Sequence, residues 1–199
     1  MAKYIGPKVR LSRRVGIPLT PKAAKVMDRK PFRPGVHKST KTKLSTYGQQ
    51  LAEVQKVKYA YNITRRQLKR YFEEAQRRKG NTVDNLFKLL ESRLDVVLLR
   101  AGFVPTIYAA QQLVSHGHVM VNGKKVNIRS YRVKVGDEVS LTEKGSKIPV
   151  VVESLKTLTP AKHVEVDKNK FTCKLIKEIT QEDVPLDCQA NQVVEFLAR

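Results

Sequence analysis

His116 and His118 stand two residues apart. On a β-strand that spacing would point both imidazoles to one side, as a metal pair requires. No carboxylate or cysteine lies nearby in the sequence to complete a ligand set, and the pair falls at the end of a helical pattern. A capping or phosphate-facing role for His116 suits it better. Cys173 and Cys188 are fifteen residues apart, with no CxxC pair and no histidine cluster beside them. They read as two reduced thiols, not as a zinc site or a disulfide framework. There is no Walker loop, no GxGxxG and no GxSxG elbow. No catalytic residue, no metal and no cofactor is therefore expected, and the chain does not read as an enzyme.

The chemistry it does carry is cationic. The 199 residues hold 39 Lys and Arg against 18 Asp and Glu, a formal net charge of +21. The excess is uneven. Residues 1–80 carry 22 basic and 4 acidic groups, residues 81–142 carry 8 and 5, and residues 143–199 carry 9 and 9. Like charge concentrated in one part of a chain opposes folding by self-repulsion, so a polyanionic partner is implied. Nucleic acid is the first reading. A membrane surface is the second, weakened because the basic helices lack a strongly apolar face. No run approaches the roughly 18 apolar residues of a membrane span, and "MAKYIGPKVRLSRR" has no apolar core of a signal peptide.

The elements that must position these cations follow from pattern. Residues 1–46 contain thirteen basic groups, one acid and five prolines, and read as an extended basic arm that orders on its partner. Within it, "RKPFRPGVHKSTKTK" reads as a solvated loop or, favoured by its charge density, as a phosphate-tracking loop with Phe32 and His37 available for stacking. Helical patterning begins near Ser45 with Leu51, Val54 and Tyr61. A second helix is predicted over 64–79, with Leu68, Tyr71, Phe72 and Ala75 as its buried stripe and Arg66, Arg70 and Arg77 on another face. One helix is predicted over 83–102, striped by Val83, Leu86, Phe87, Leu90, Leu94 and Leu98, and stopped by Gly102. Thr106 caps a short helix that Gly117 ends. Val119 and Val121, the turn Asn122-Gly123, then Val126 and the turn Gly136-Asp137 give a small ribbon with Lys124 and Lys125 at its tip. Beyond it, "VVVESLKTL" suits helix or strand, "HVEVDKNKFTCKL" predicts a hairpin, and "QVVEFLA" a closing strand.

Two resemblances bear on this reading. Arg93-Leu94-Asp95 resembles the catalytic segment of some pseudouridine synthases, but the continuation "VVLLRAG" departs from it and the large catalytic domain is missing; Asp95 is expected to be held by a nearby cation or a helix end. "SRLDVVLLRAGF…AAQQLVSHGHVMVNGKKVNIRSYRVKVGDEVSL" resembles the RNA-binding module of the ribosomal protein four family, two helices packed on a β-ribbon. That module also occurs in tyrosyl-tRNA synthetases, pseudouridine synthases and a heat-shock RNA-binding protein. "MAKYIGPKVRLSRR", "PGVH", "LSTYGQQLAEVQKVKYAYNITRRQLKRYFEEAQRRKGNT" and "VVEFLAR" extend the resemblance to the ribosomal family from end to end. There are departures. Many members carry arginine where this chain has Ile107 and Gln111, which takes two cations from a helix expected to face RNA. The N-terminal cysteines of zinc-holding members are absent, so the chain is similar to the zinc-free form.

The expected fold is α+β: a basic arm over 1–46, a helical domain over 47–90, the two-helix and β-ribbon RNA-binding module over 91–154, and a C-terminal β extension over 155–199. The resemblance implies a constituent of the small ribosomal subunit, in the cytoplasm of a bacterium or in an organelle. It would bind small-subunit rRNA early, at a multi-helix junction of the 5′ domain, nucleate assembly there, and adjoin ribosomal protein five and the region where mRNA enters, affecting decoding accuracy. The alternative is a stand-alone RNA-binding factor or an RNA-modifying enzyme built on the same module. Candidate RNA contacts in the arm are Lys3, Lys8, Arg10, Arg13, Arg14, Arg33, His37, Lys41 and Lys43. The helical domain offers Lys56, Lys58, Arg65, Arg66, Lys69, Arg70 and Arg77. The module offers Arg93, His116, Lys124, Lys125, Arg129 and Arg132.

Overall fold

The computed structural model describes residue 4 and residues 6–35, 44–177, 179 and 183–199. Lys3, His37, Lys41 and Lys43 lie outside the described residues. The chain divides into two compact units, Met1–Val83 together with Pro185–Arg199, and Asp84–Val184. The architecture is α+β, with helices in the first unit and helices packed with an antiparallel sheet in the second.

The first unit begins with two helices where an extended arm was expected, α1 (Lys8–Val15) and α2 (Pro21–Arg29). The prolines do not prevent them because of where they fall. Pro7 precedes α1, and Pro21 occupies the first turn of α2, where a missing amide breaks no helical hydrogen bond. Thr20 caps α2, its hydroxyl accepting from the Ala23 amide at 3.1 Å. Leu11, Val15 and Ala23 are buried, and α1 packs on α2 and on α3 (Thr46–Ala60). Leu11 and Val15, one helical turn apart, give α1 its buried face, and Ala23 gives α2 its own.

Next comes α4 (Arg65–Arg77), opened by a capping box. The Thr64 hydroxyl accepts from the Gln67 amide at 3.2 Å, and the Thr64 amide donates back to the Gln67 side chain at 3.0 Å. Leu68, Phe72 and Ala75 form its buried stripe, with Tyr71 half-buried. The unit is closed by the chain's last helix, α10 (Ala190–Ala198), where a strand was expected. Val193, Phe196 and Leu197 fall at helical spacing and are buried, and α10 packs on α3 and α4. Tertiary cover overrides the strand preference of two adjacent valines. Two polar clasps fix the seam. Gln50 donates to Glu195 at 2.9 Å, and the Gln189 amide donates to Glu53 at 2.9 Å.

In the second unit the single helix expected over 83–102 is two, α5 (Thr82–Glu91) and α6 (Leu94–Arg100). The apolar stripe runs unbroken through both, but the backbone between them pairs elsewhere. The Val133 amide donates to the Ser92 carbonyl and the Leu94 amide to the Tyr131 carbonyl, each at 2.8 Å, and Arg93 bridges to Arg132. α7 (Ile107–Ser115) follows, capped by Thr106 through the Ala109 amide at 3.2 Å.

The sheet is antiparallel, in the order β2-β1-β3-β5-β4. Its strands are β1 (Val119–Val121), β2 (Lys124–Lys125), β3 (Glu138–Leu141), β4 (Val164–Asp167) and β5 (Thr172–Leu175). Asn122 and Gly123 have φ of +49° and +76°, the pair of left-handed residues that a tight two-residue hairpin demands. Between β3 and β4 lie the one-turn α8 (Glu143–Ser146) and α9 (Pro149–Thr157). Val119, Val121, Val139, Leu141, Cys173 and Leu175 face a core shared with Leu94, Leu98, Val114, Val151 and Leu155. This core is the frame that holds the ribbon.

Candidate nucleic-acid interface

In the first unit α4 sets its cations outward because its apolar residues go inward. Arg66, Lys69, Arg70 and Arg77 are exposed. Among the described residues none of the four has an ion pair or a side-chain hydrogen bond. Arg78 differs, closing on Glu74 at 2.9 Å. Arg65 is exposed too, its guanidinium 5.6 Å from the centre of the Phe196 ring, a stacking that limits its freedom. On α1, Arg10 and Arg14 are exposed one turn apart, and Arg33 is exposed after α2.

Sequence reasoning missed Lys22, Lys25 and Arg29. They recur at intervals of three and four on α2 and are exposed together. That spacing was visible, but an extended segment has no helical face, so the pattern carried no weight.

Other expected contacts are occupied by the fold. The Arg13 side chain donates to the carbonyls of Lys30 and Phe32, at 3.1 and 3.0 Å, and so ties down the chain after α2. Lys56 pairs with Glu53 at 2.7 Å and reaches the Asp187 carbonyl at 3.5 Å. Lys8 is half-buried and also partnered. Lys58 is different: it is half-buried with its ammonium 5.2 Å from the centre of the Tyr59 ring, but among the described residues it has no ion pair, so its charge stays available to an anion.

The second unit splits its candidates sharply. Lys124 and Lys125 are exposed on β2, and Arg132 is exposed beyond it. The tip is braced. Asn122 donates to Asp137 and accepts from the Glu138 amide, both at 2.9 Å, and Asp137 also accepts from the Lys134 amide at 2.8 Å. The Lys125 chain crosses Gly117, where an added β-carbon would lie 2.5 Å from Lys125 Cε; Gly117 also has φ of +71°. His116 is exposed at the end of α7, its ring 6.1 Å from that of His118.

Arg93 and Arg129, expected at the RNA surface, are instead interior, 3% and 9% exposed. Arg93 grips the fully buried Asp95 with two hydrogen bonds, at 3.0 and 2.8 Å. Gln111 donates to the same carboxylate at 3.0 Å, and its carbonyl accepts from Arg129 at 3.1 Å. Asp95 thus sits in a structural network with the cation it was expected to have. The same geometry corrects the reading of α7: Ile107 and Gln111 are both buried, so neither takes a cation from an exposed face. A second pair, half-buried Arg100 with buried Glu91, closes at 2.6 and 2.8 Å. A guanidinium enters a protein interior only with such partners.

Burial pushes the Cys173 thiol up to about 12, and burial, then the carboxylate of Glu53, push Cys188 up to about 11. Both stay protonated and unreactive near neutral pH. Among the described residues no group of three or more His, Cys, Asp or Glu side chains could hold a metal ion, and no helix is long and apolar enough to cross a membrane. The exposed cations can bind anions at fixed spacing.

Comparison with known proteins bears on both units. Residues 3–91 match a family described as the ribosomal protein S4/S9 N-terminal domain, and residues 92–139 match the S4 domain. Curated relatives are similar over the whole length. The chain is 44% identical over 205 residues to the small ribosomal subunit protein uS4 of Paracoccus denitrificans, covering 100% of each. It is 42% identical over 202 residues to that of Methylobacillus flagellatus, covering 100% of this chain and 98% of the relative. The protein of the same name in Thermobifida fusca is 41% identical over 202 residues, with 99% and 100% covered.

Proposed function

The chain belongs to the uS4 family of small ribosomal subunit proteins, and from that premise we propose that it joins small-subunit rRNA early and nucleates assembly there. As a member of that family it is a structural, RNA-binding constituent of the ribosome and not an enzyme. Its binding site is a multi-helix junction of the 5′ domain. In the assembled subunit it adjoins ribosomal protein five and the path where mRNA enters, and there it affects decoding accuracy.

The single observation that carries this reading is the cationic face of α4, which has no ion-pair partner among the described residues, backed by the exposed cations of α1 and α2. Crowded phosphates at a junction supply the countercharge that these helices lack, and their neutralisation releases condensed counterions. Arginine's planar fork spans two phosphate oxygens, which favours a fixed RNA geometry over a sequence. RNA helices hide their base edges in a deep groove, so shape is what such a surface reads. The ribbon adds Lys124, Lys125 and Arg132 on a rigid frame.

Reconstitution tests the early role. The purified protein, added alone to naked small-subunit rRNA, should bind and co-sediment in a sucrose gradient, and it should be stoichiometric in salt-washed small subunits. Binding only after other proteins have been added would refute the early role. Absence from washed subunits would favour a stand-alone RNA-binding factor.

A further inference from the structure

At the turn between α3 and α4 a cavity of about 330 Å³ opens to the surface, lined by Tyr4, Lys58, Tyr59, Asn62 and Arg65 among others. Its volume lies at the lower end of the roughly 300–1,000 Å³ of small-ligand sites. We infer that this cavity takes one unstacked nucleotide of the bound RNA, its base against the tyrosine rings and its phosphate between Lys58 and Arg65. The inference rests on the RNA-binding reading above and adds a ligand to one point of that surface.

The composition of the cavity points to a nucleotide. A phosphate site alone needs cations; this one also has two phenol rings in its wall. A paired, stacked base offers no free face, whereas an extruded one offers a π-surface to an aromatic ring and a phosphate to a cation.

The cavity is also built, not incidental. Asn62 has φ of +48°, which turns the chain sharply at the end of α3, and the Ile63 amide closes on the Lys58 carbonyl at 3.1 Å. That turn brings Lys58 and Tyr59, at the end of one helix, into the same wall as Arg65, at the start of the next. Arg65 is steadied by the Phe196 ring, which in turn lies 5.4 Å from the Tyr47 ring. Lys58 is steadied over Tyr59. The Tyr4 ring lies against Gly6, where a side chain would collide with it. Both cations therefore rest beside rings before RNA arrives, which lowers the entropic cost of capture.

The test uses the full chain and a junction fragment of small-subunit rRNA, titrated at several salt concentrations. Stacking is insensitive to salt and phosphate contact is not, so the two halves of the site separate. Tyr59→Leu should weaken binding by about 5- to 150-fold with the salt slope unchanged, the loss of one base–aromatic stack. Tyr59→Phe, which keeps the ring, should bind as wild type does. Arg65→Gln should flatten the slope of log affinity against log salt by about 0.7 to 0.9. A folded Tyr59→Leu variant binding within twofold of wild type would overturn the inference, as would an equal loss in Tyr59→Phe. If Tyr59→Leu does not fold, ultraviolet cross-linking of the wild-type complex decides. A nucleotide adduct on the peptide carrying Tyr59 supports the site, and adducts confined to other peptides contradict it. Failure of wild type to bind the RNA at all would instead refute the RNA-binding reading, and the cavity's role with it.

Discussion

On α4 the cations Arg66, Lys69, Arg70 and Arg77 stand in solvent without an ion-pair partner among the described residues, while in the second unit Arg93 and Arg100 each close on a buried carboxylate and Arg129 on a buried amide. The contrast shows that residue type does not decide what a basic side chain does. In the interior a guanidinium must be paired, because leaving it unpaired costs several kcal/mol, roughly 3–5 when one partner of a buried pair is removed. At the surface each charge costs little alone, but the excess of like charge in residues 1–80 repels itself. The buried arginines are therefore parts of the fold, and the exposed ones await a ligand.

The largest effect should come from breaking the buried side of this contrast. Asp95→Ala leaves Arg93 interior without its carboxylate and should destabilise the second unit by about 3–5 kcal/mol. Denaturant unfolding would measure it. A loss below about 1 kcal/mol would mean that Arg93 finds another partner or reaches water. Arg129→Met should cost less, about 1–3 kcal/mol, because it removes a hydrogen bond to a neutral amide and not the countercharge of a buried ion. The RNA salt slope of the folded fraction should not change in either variant; a flatter slope for Arg129→Met would return that residue to the interface.

A smaller effect depends on pH. His163 is fully interior, its Nδ1 without a hydrogen-bond partner in the structure, and its pKa is lowered from 6.5, chiefly by burial. Glu91 and Asp183 pull it back up, while Arg100 and Lys177 push it further down. Because the folded value lies below the unfolded one, the unfolded chain takes up the proton first. His163 thus contributes stability that is fully present above about pH 6.5 and is lost as pH falls through the folded value. Thermal melts at pH 7.5 and 5.5 should show a larger drop for wild type than for His163→Phe. Equal drops would mean that His163 is free to charge in the folded protein.

Much of the frame was legible. The Asn122-Gly123 turn, the stripes of α4 and α5, and the 164–175 hairpin all follow from local pattern. Three features were not. The break at Ser92 and Arg93 interrupts no apolar period; it arises because that backbone pairs with residues 131–133, a contact of long sequence separation. The paired valines of "QVVEFLA" suggest a strand, and packing against α3 and α4 makes it a helix. Prolines made residues 8–29 look extended, although two of them stand at helix starts. The candidate site was legible as a density of cations but not as individual contacts. Nothing in the spacing of Arg129 from Asp95 and Gln111 announces that they share one buried network.

The claim that the unpaired helix cations carry more of the electrostatic affinity than the ribbon does is tested most directly by salt titration. The RNA is a junction fragment of small-subunit rRNA, and the proteins are wild type and two triples. One is Arg66→Gln, Arg70→Gln and Arg77→Gln; the other is Lys124→Gln, Lys125→Gln and Arg132→Gln. All six side chains are exposed, so neither triple should unfold the protein. The helix triple should flatten the slope of log affinity against log salt by roughly 2 to 3, one phosphate contact per arginine, and the ribbon triple by less. A helix triple with the wild-type slope, or a ribbon triple that loses more, would contradict the claim.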